Sequence, residues 1–317
     1  SYLVECLRSL KNQSWQHFKA IIVDDCGAEP TLVHAYKEVG DDPRFTLVQN
    51  EQNLGGALTF MSYANKTDAK YVMWLHHDDW IDPSFLEKTY NSLQLNESCS
   101  FAYCLISRVI DGVSQDGFPS AIRPDLQTGV WDVSYDSVIN CWIMWSSALI
   151  RVDSYKNMGG LDSLFDYQPC KQGNLPVRRG ESDLYAFAKL SSIGKVYVIN
   201  ERLCFYRSHD EANTVKQKNV HIQQNLNTYD LIFQQSEFFS DEIRVVAKIN
   251  SIARLATELP MSDVAYRLLY VSKVSRECTG FRRQVLERLA IVMDRFIRDD
   301  FEKCRPRVFL EHEITFL

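Results

Sequence analysis

A chain of 317 residues, 45% hydrophobic and 24% charged, has the length of one large domain or two ordinary ones. Its 12% aromatic content excludes a disordered or fibrous chain. Lys plus Arg total 35 against 41 Asp plus Glu, a net charge of −6 that argues against a nucleic-acid partner.

No stretch approaches the ~18 apolar residues of a membrane span. The opening Ser1-Tyr2-Leu3-Val4-Glu5 lacks a charged-then-apolar leader pattern. The expected location is the cytoplasm, with a peripheral position at the inner face of the membrane left open. The nine cysteines show no C-x-x-C spacing and read as reduced, buried small hydrophobes.

In chain order, Leu3, Cys6, Leu7 and Leu10 fall at i, i+3, i+4 and i+7, which predicts a helix. Phe18 to Val23 is a short apolar run ending in Asp24-Asp25, a buried strand with carboxylates at its C-terminal end. Residues 31–39 suit a helix and Phe45 to Val48 a strand. Asn53-Leu54-Gly55-Gly56 is a turn opening a helix to about Asn65. Tyr71 to Leu75 is a third strand, running into Asp78-Asp79. Asp82-Pro83-Ser84 then starts a helix over Phe85 to Leu95. Such alternation predicts α/β layering around a mostly parallel sheet sandwiched by helices. Ligands of these sheets bind beyond the carboxyl ends of the strands, where both acidic pairs lie.

From residue 100 to 209 the pattern is mixed, with Lys195 to Ile199 reading as a strand. Beyond about 216 it turns helical and its charge balances, so the acidic excess lies in the first part. The expected division is an α/β domain over 1–215 and a helical extension over 216–317. There Phe281, Val285, Leu289, Val292 and Phe296 make an apolar face flanked by arginines. A peripheral membrane contact and packing in a cap or homodimer are both open readings of that face.

Adjacent carboxylates just past a strand suit a hard divalent cation, Mg²⁺ or Mn²⁺, shared with substrate phosphate oxygens. A solvated turn before an N-cap at Asp82 is the bland alternative. Trp142 and Trp145 could stack on a ligand but read better as core. Trp80, directly after the acidic pair, is the better candidate for a ligand contact.

The segment Leu75-His76-His77-Asp78-Asp79-Trp80-Ile81-Asp82-Pro83-Ser84-Phe85-Leu86 resembles the strand-to-helix segment of family 2 glycosyltransferases of the GT-A fold. Other pieces agree in order: the first helix with Gln13, Ile21-Ile22-Val23-Asp24-Asp25, Asn53-Leu54-Gly55, Met158-Gly159-Gly160-Leu161-Asp162, Gly180-Glu181-Ser182-Asp183-Leu184, and Tyr206-Arg207-Ser208-His209. The resemblance spans residues 1–209. It implies an inverting, metal-dependent transfer of a sugar from a nucleotide-diphosphate sugar, UDP-linked by preference, to a glycan or lipid-linked hydroxyl in surface polysaccharide synthesis.

By the resemblance, Asp25 accepts from the nucleotide base, and Asn53 belongs to the donor-side turn. Asp78 and Asp79 hold the ribose and the metal, and His209 completes the metal or diphosphate site. Asp183 is the general base and Glu181 orients the acceptor. His76 replaces the first Asp of the family's Leu-Asp-x-Asp-Asp, and Phe60-Met61 replace an Arg-Asn pair that contacts the donor. The family's first strand, ending in Pro-x-Tyr-Asn, is not in the sequence, so weaker donor binding is expected without it. The rival readings are a non-catalytic sugar-nucleotide or glycan-binding module, and a nucleotidyltransferase, which lacks its Gly-rich phosphate loop here.

Overall fold

The computed structural model describes residues 2–27, 31–115, 126–139, 143–166, 177–209, 218–241, 243, 244 and 247. Contacts divide the chain into Ser1–Thr228 and Tyr229–Leu317. Of the second unit only a short part is described, in which Phe233 O accepts a 2.6 Å bond from Arg244 Nε and Asp241 pairs with Arg244 at 2.9 Å. The apolar face at 281–296 lies outside the described residues.

The first unit alternates helices and strands: α1 (Tyr2–Lys11), β1 (Ala20–Asp24), α2 (Thr31–Val39), β2 (Phe45–Gln49), α3 (Gly56–Ala64), β3 (Tyr71–Val72), β4 (Trp80–Ile81) and α4 (Phe85–Leu95). Then come β5 (Cys99–Ile110), β6 (Val113–Gln115), β7 (Gly129–Trp131), α5 (Ser134–Ile139), β8 (Ala148–Arg151), α6 (Val152–Asn157), β9 (Phe165–Asp166), β10 (Val177–Arg178), α7 (Ser182–Ile193) and β11 (Lys195–Ser208). A further helix, α8 (Lys218–Gln234), crosses the boundary between the units.

The α/β layering is as the sequence predicts, but the main sheet is mixed. Its order is β3-β8-β5-β11-β4, with β6 on β5 and β7 on β11. β5 and β11 run parallel, and the other pairs of this sheet are antiparallel. β5 is buried along almost its whole length, as a central strand covered on both faces must be.

β1 pairs in parallel with β2, Ala20 opposite Phe45 through Asp24 opposite Gln49, in a separate two-stranded sheet. Ile21–Val23 and Val72–Trp74, expected as parallel strands on either side of the family's first strand, therefore stand in different sheets, which corrects that expectation. β3 is only two residues long and pairs with β8. Between the two sheets runs a cavity of about 2120 Å³, lined by β1 residues such as Ile22, by Leu7 of α1, and by Tyr71, Met73 and Leu75.

Buried Gln13 fixes the end of α1 to the start of α4. Its amide nitrogen donates to Ser9 O (3.0 Å) and Asp82 O (2.7 Å), and its oxygen accepts the Leu86 N–H at 2.9 Å. One buried amide thus bonds three backbone groups, including the Leu86 N–H in the first turn of α4. Because α4 follows directly on the 76–82 segment, this clamp also anchors the acidic loop.

Candidate active site

The 76–80 loop follows β3 after residues 73–75 and leads into β4, which pairs with Phe205 and Cys204 of β11. Asp79 points inward and is 1% exposed. Its Oδ2 accepts the Ser146 hydroxyl at 2.6 Å, and its Oδ1 accepts the Arg207 backbone N–H at 3.2 Å. Burial nonetheless pushes its pKa up to about 6, against the lowering pull of His76 and these donors. Ser146 also accepts the His76 N–H at 3.1 Å, tying the loop to the segment before β8 at two points.

His76, Asp78 and Asp79 bring one ligand atom each within 4.8 Å of one another. His209, at the end of β11, places Nε2 3.2 Å from Asp78 Oδ2. Its Nδ1 is buried with no partner among the described residues. Two carboxylates, one of them buried, a third ligand from an imidazole and an orphaned ring nitrogen nearby fit a hard or borderline divalent cation. Sequence reasoning placed Asp78, Asp79 and His209 together. It left His76 as a departure, whereas the structure groups it with the carboxylates. Ser146 gave no signal in the sequence, being 67 residues from Asp79.

At the β1 end, Asp25 is held by four donors. Its Oδ1 accepts from Asn50 Nδ2 (2.7 Å), Leu54 N–H (2.9 Å) and Thr59 Oγ1 (3.0 Å), and its Oδ2 accepts the Gly55 N–H at 2.7 Å. Partial burial raises its pKa, but these hydrogen bonds outweigh it and leave the carboxyl below its ordinary value. The turn at 53–56 is thus wrapped around Asp25, with Asn53 Oδ1 also accepting the Gly55 N–H at 3.1 Å. Gly55 has φ +77°, and a Cβ on Gly56 would stand 2.7 Å from Trp74 Cζ2. Both glycines are required by this fit. Cys26, next to Asp25, is exposed and has φ +59°.

Phe60 and Met61 are buried. Phe60 stacks on Trp74 (5.1 Å, 8°) and touches Trp145 and Tyr155. That face of α3 packs on an aromatic cluster, which explains why no cationic pair stands there. Trp145 is fully buried, its indole N–H donating to Ser182 Oγ at 3.2 Å, so it is core; Trp142 lies outside the described residues.

Trp80 stacks on Phe205 (5.2 Å, 6°), and the Arg207 guanidinium lies 4.5 Å from its ring centroid. Much of the indole is therefore engaged by the protein itself. Glu181 and Asp183 sit at the start of α7, where Glu181 N–H donates to Thr228 Oγ1 (2.7 Å) and Asp183 Oδ1 accepts from Ser182 Oγ (3.1 Å). Asp25, Asn53, Asp78, Glu181 and Asp183 all line the one cavity, while Asp79 and His209 lie outside its lining. Among the described residues, no helix is long and apolar enough to cross a membrane.

Residues 1–135 match the family model described as Glycosyl transferase family 2. Over 211 residues the chain is 27% identical to a protein of Bacillus subtilis (strain 168) named as a teichuronic acid biosynthesis glycosyltransferase, TuaG, covering 65% of this chain and 73% of that one. Residues 1–349 of S. aureus TarS, solved with UDP-GlcNAc, superpose with a TM-score of 0.62 at 13% identity, over 95% of this chain and 88% of that one. The mannosyltransferase PcManGT from Pyrobaculum calidifontis, solved with GDP-Man and Mn²⁺, gives 0.52 at 12% identity, over 96% and 84%. The acidic loop, the turn around Asp25 and the start of α7 thus lie on a GT-A framework, whose first 135 residues match glycosyl transferase family 2.

Proposed function

We propose that the protein transfers a sugar, with inversion, from a nucleotide-diphosphate sugar to a glycan or lipid-linked hydroxyl in the synthesis of a surface polysaccharide. The observation that carries this reading is the convergence of His76, Asp78 and Asp79 at a strand end, beside a cavity that Glu181 and Asp183 also line. TuaG, named for teichuronic acid biosynthesis, supports the polysaccharide assignment. UDP-GlcNAc on TarS and GDP-Man on PcManGT support a nucleotide-sugar donor. UDP-sugars are the first to test.

A divalent cation, Mn²⁺ or Mg²⁺, held by Asp79, Asp78 and an imidazole of His76 or His209, would neutralise the diphosphate leaving group. Asp78 also serves the ribose. Asp183 takes the acceptor hydroxyl proton, and Glu181 orients the acceptor. Asp25 and Asn53 shape the donor-side turn, and the free edge of Trp80 is the acceptor contact. The four donors on Asp25 support a role in forming the nucleotide pocket more than in receiving a base N–H directly.

The test is product formation from UDP- and GDP-sugars with and without Mn²⁺, alongside thermal shift by the same donors. Metal-dependent release of nucleotide diphosphate with sugar transfer supports the reading. Stabilisation by donors without any turnover supports a second reading, a binding module, which the apolar Phe60-Met61 face of α3 favours.

A further inference from the structure

Arg207, on β11 two residues before His209, touches the acidic loop and its surroundings at several points. Its guanidinium carbon lies 4.3 Å from the Tyr2 ring centroid and 4.5 Å from that of Trp80. Its Nε donates to the Asp78 carbonyl at 3.1 Å, its terminal nitrogen pairs with Glu5 of α1, and its backbone N–H reaches Asp79 Oδ1 at 3.2 Å. The side chain is 11% exposed.

What this cation avoids is as informative as what it touches. Among the described residues its ion pair is with Glu5, not with the carboxylates of Asp78 or Asp79. An arginine salt-bridged to those carboxylates would compete with a metal for the same oxygens. Here the charge is taken up by Glu5, and the loop is gripped through a carbonyl and a neighbouring ring. The guanidinium thus frames the loop without pairing with the carboxylate of Asp78 or Asp79.

We propose that Arg207 is a positioning residue for the divalent cation, holding the 76–80 loop so that Asp78 and Asp79 converge, with Tyr2 as the platform that locks it. The inference rests on the reading of the acidic cluster as a cation site. Tyr2 serves both sides of the arrangement, because its ring also packs against His209 at 4.9 Å. Lysine cannot replace the arginine here. It keeps the charge but loses the planar face that stacks on the rings and the fork that bonds Asp78 and Glu5 at once.

Groups that orient metal ligands from behind cost about 10–100-fold in metal affinity when removed. The test is Mn²⁺ binding, without donor, by calorimetry and by the electron paramagnetic resonance signal of free Mn²⁺. The proteins compared are wild type, Asp79→Asn, Arg207→Lys and Tyr2→Leu. Tyr2 is 41% exposed, so its variant keeps the fold if Arg207→Lys does not.

Wild type should bind and Asp79→Asn should not. Arg207→Lys should bind about 10–100-fold more weakly, and Tyr2→Leu several-fold more weakly, with melting temperatures near wild type. A merely structural arginine would lower the melting temperature and leave the Mn²⁺ affinity of the folded protein unchanged. Wild-type affinity in both folded variants overturns the inference and leaves the cation site standing. No Mn²⁺ binding by the wild type removes the cation site, and the inference with it.

Discussion

Replacing Asp25 by Asn tests whether a carboxylate organises the donor-side turn. The native group receives backbone N–H donors on both oxygens, Leu54 on Oδ1 and Gly55 on Oδ2, plus Asn50 and Thr59. An amide can offer an oxygen to only one side, and turns an N–H toward the donors on the other. One hydrogen bond to a charged acceptor is worth about 1.5–3 kcal/mol. Partial solvent access at this turn reduces that, so a loss of about 2 kcal/mol is expected.

In a domain of this size each kcal/mol moves the melting temperature by about 2–4 °C, which puts the shift at roughly 4–8 °C. Urea unfolding at pH 7 gives the free-energy difference directly, provided m is unchanged. The pH dependence supplies an internal control. The folded-state pKa of Asp25 lies below its ordinary value of 3.8, so its contribution is complete above that pH and is lost as the pH falls through the folded value. The gap between wild type and Asp25→Asn should therefore narrow only in strong acid. Equal stability of the two proteins at pH 7, or a gap that widens on acidification, would refute the structural role.

Other outcomes follow from the same coordinates. Gly56→Ala drives a Cβ to 2.7 Å from Trp74, which is itself stacked on Phe60, so a loss of about 1–3 kcal/mol should appear in thermal melts; an unchanged melt would mean that the cluster yields freely. Asp78→Ala and Asp79→Asn should abolish Mn²⁺-dependent transfer with the circular dichroism spectrum retained, and normal turnover in both would take the pair out of the mechanism. Asp183→Asn should cut transfer by about 10²–10⁴ while donor binding persists, with Glu181→Gln doing less; the reverse ranking moves the base to Glu181. Trp145→Ala, in a fully buried cluster, should cost about 3–5 kcal/mol in urea unfolding.

Local periodicity carried the elements that depend on near neighbours. α1, α2, α3 and α4 fall where their apolar spacing and turn residues put them, because capping and amphipathicity act over a few residues. Strand pairing was less legible. Within β11 the sequence reads Lys195–Ile199 as a strand, yet the strand continues to Ser208 through register shifts around Arg202 that interrupt the alternation. The 71–75 run shrinks to two paired residues, since pairing depends on which strand stands alongside and not on composition.

The site divides in the same way. Asp78 and Asp79 announce themselves by adjacency at a strand end. The Ser146 and Arg207 contacts that aim Asp79 span 67 and 128 residues of chain, a separation no local pattern encodes.

The cysteines described above differ sharply in chemical reach. Burial pushes the Cys6 thiol up to about 12 and raises Cys104 and Cys204 well above the ordinary thiol value, so none of the three offers thiolate near neutral pH. Cys26 is exposed on the backbone that follows Asp25. Among the described cysteines an alkylating reagent should thus select Cys26 over these three. A fluorophore there would sit at the mouth of the donor-side turn and report whether a nucleotide sugar orders it, in a measurement that needs neither acceptor nor turnover.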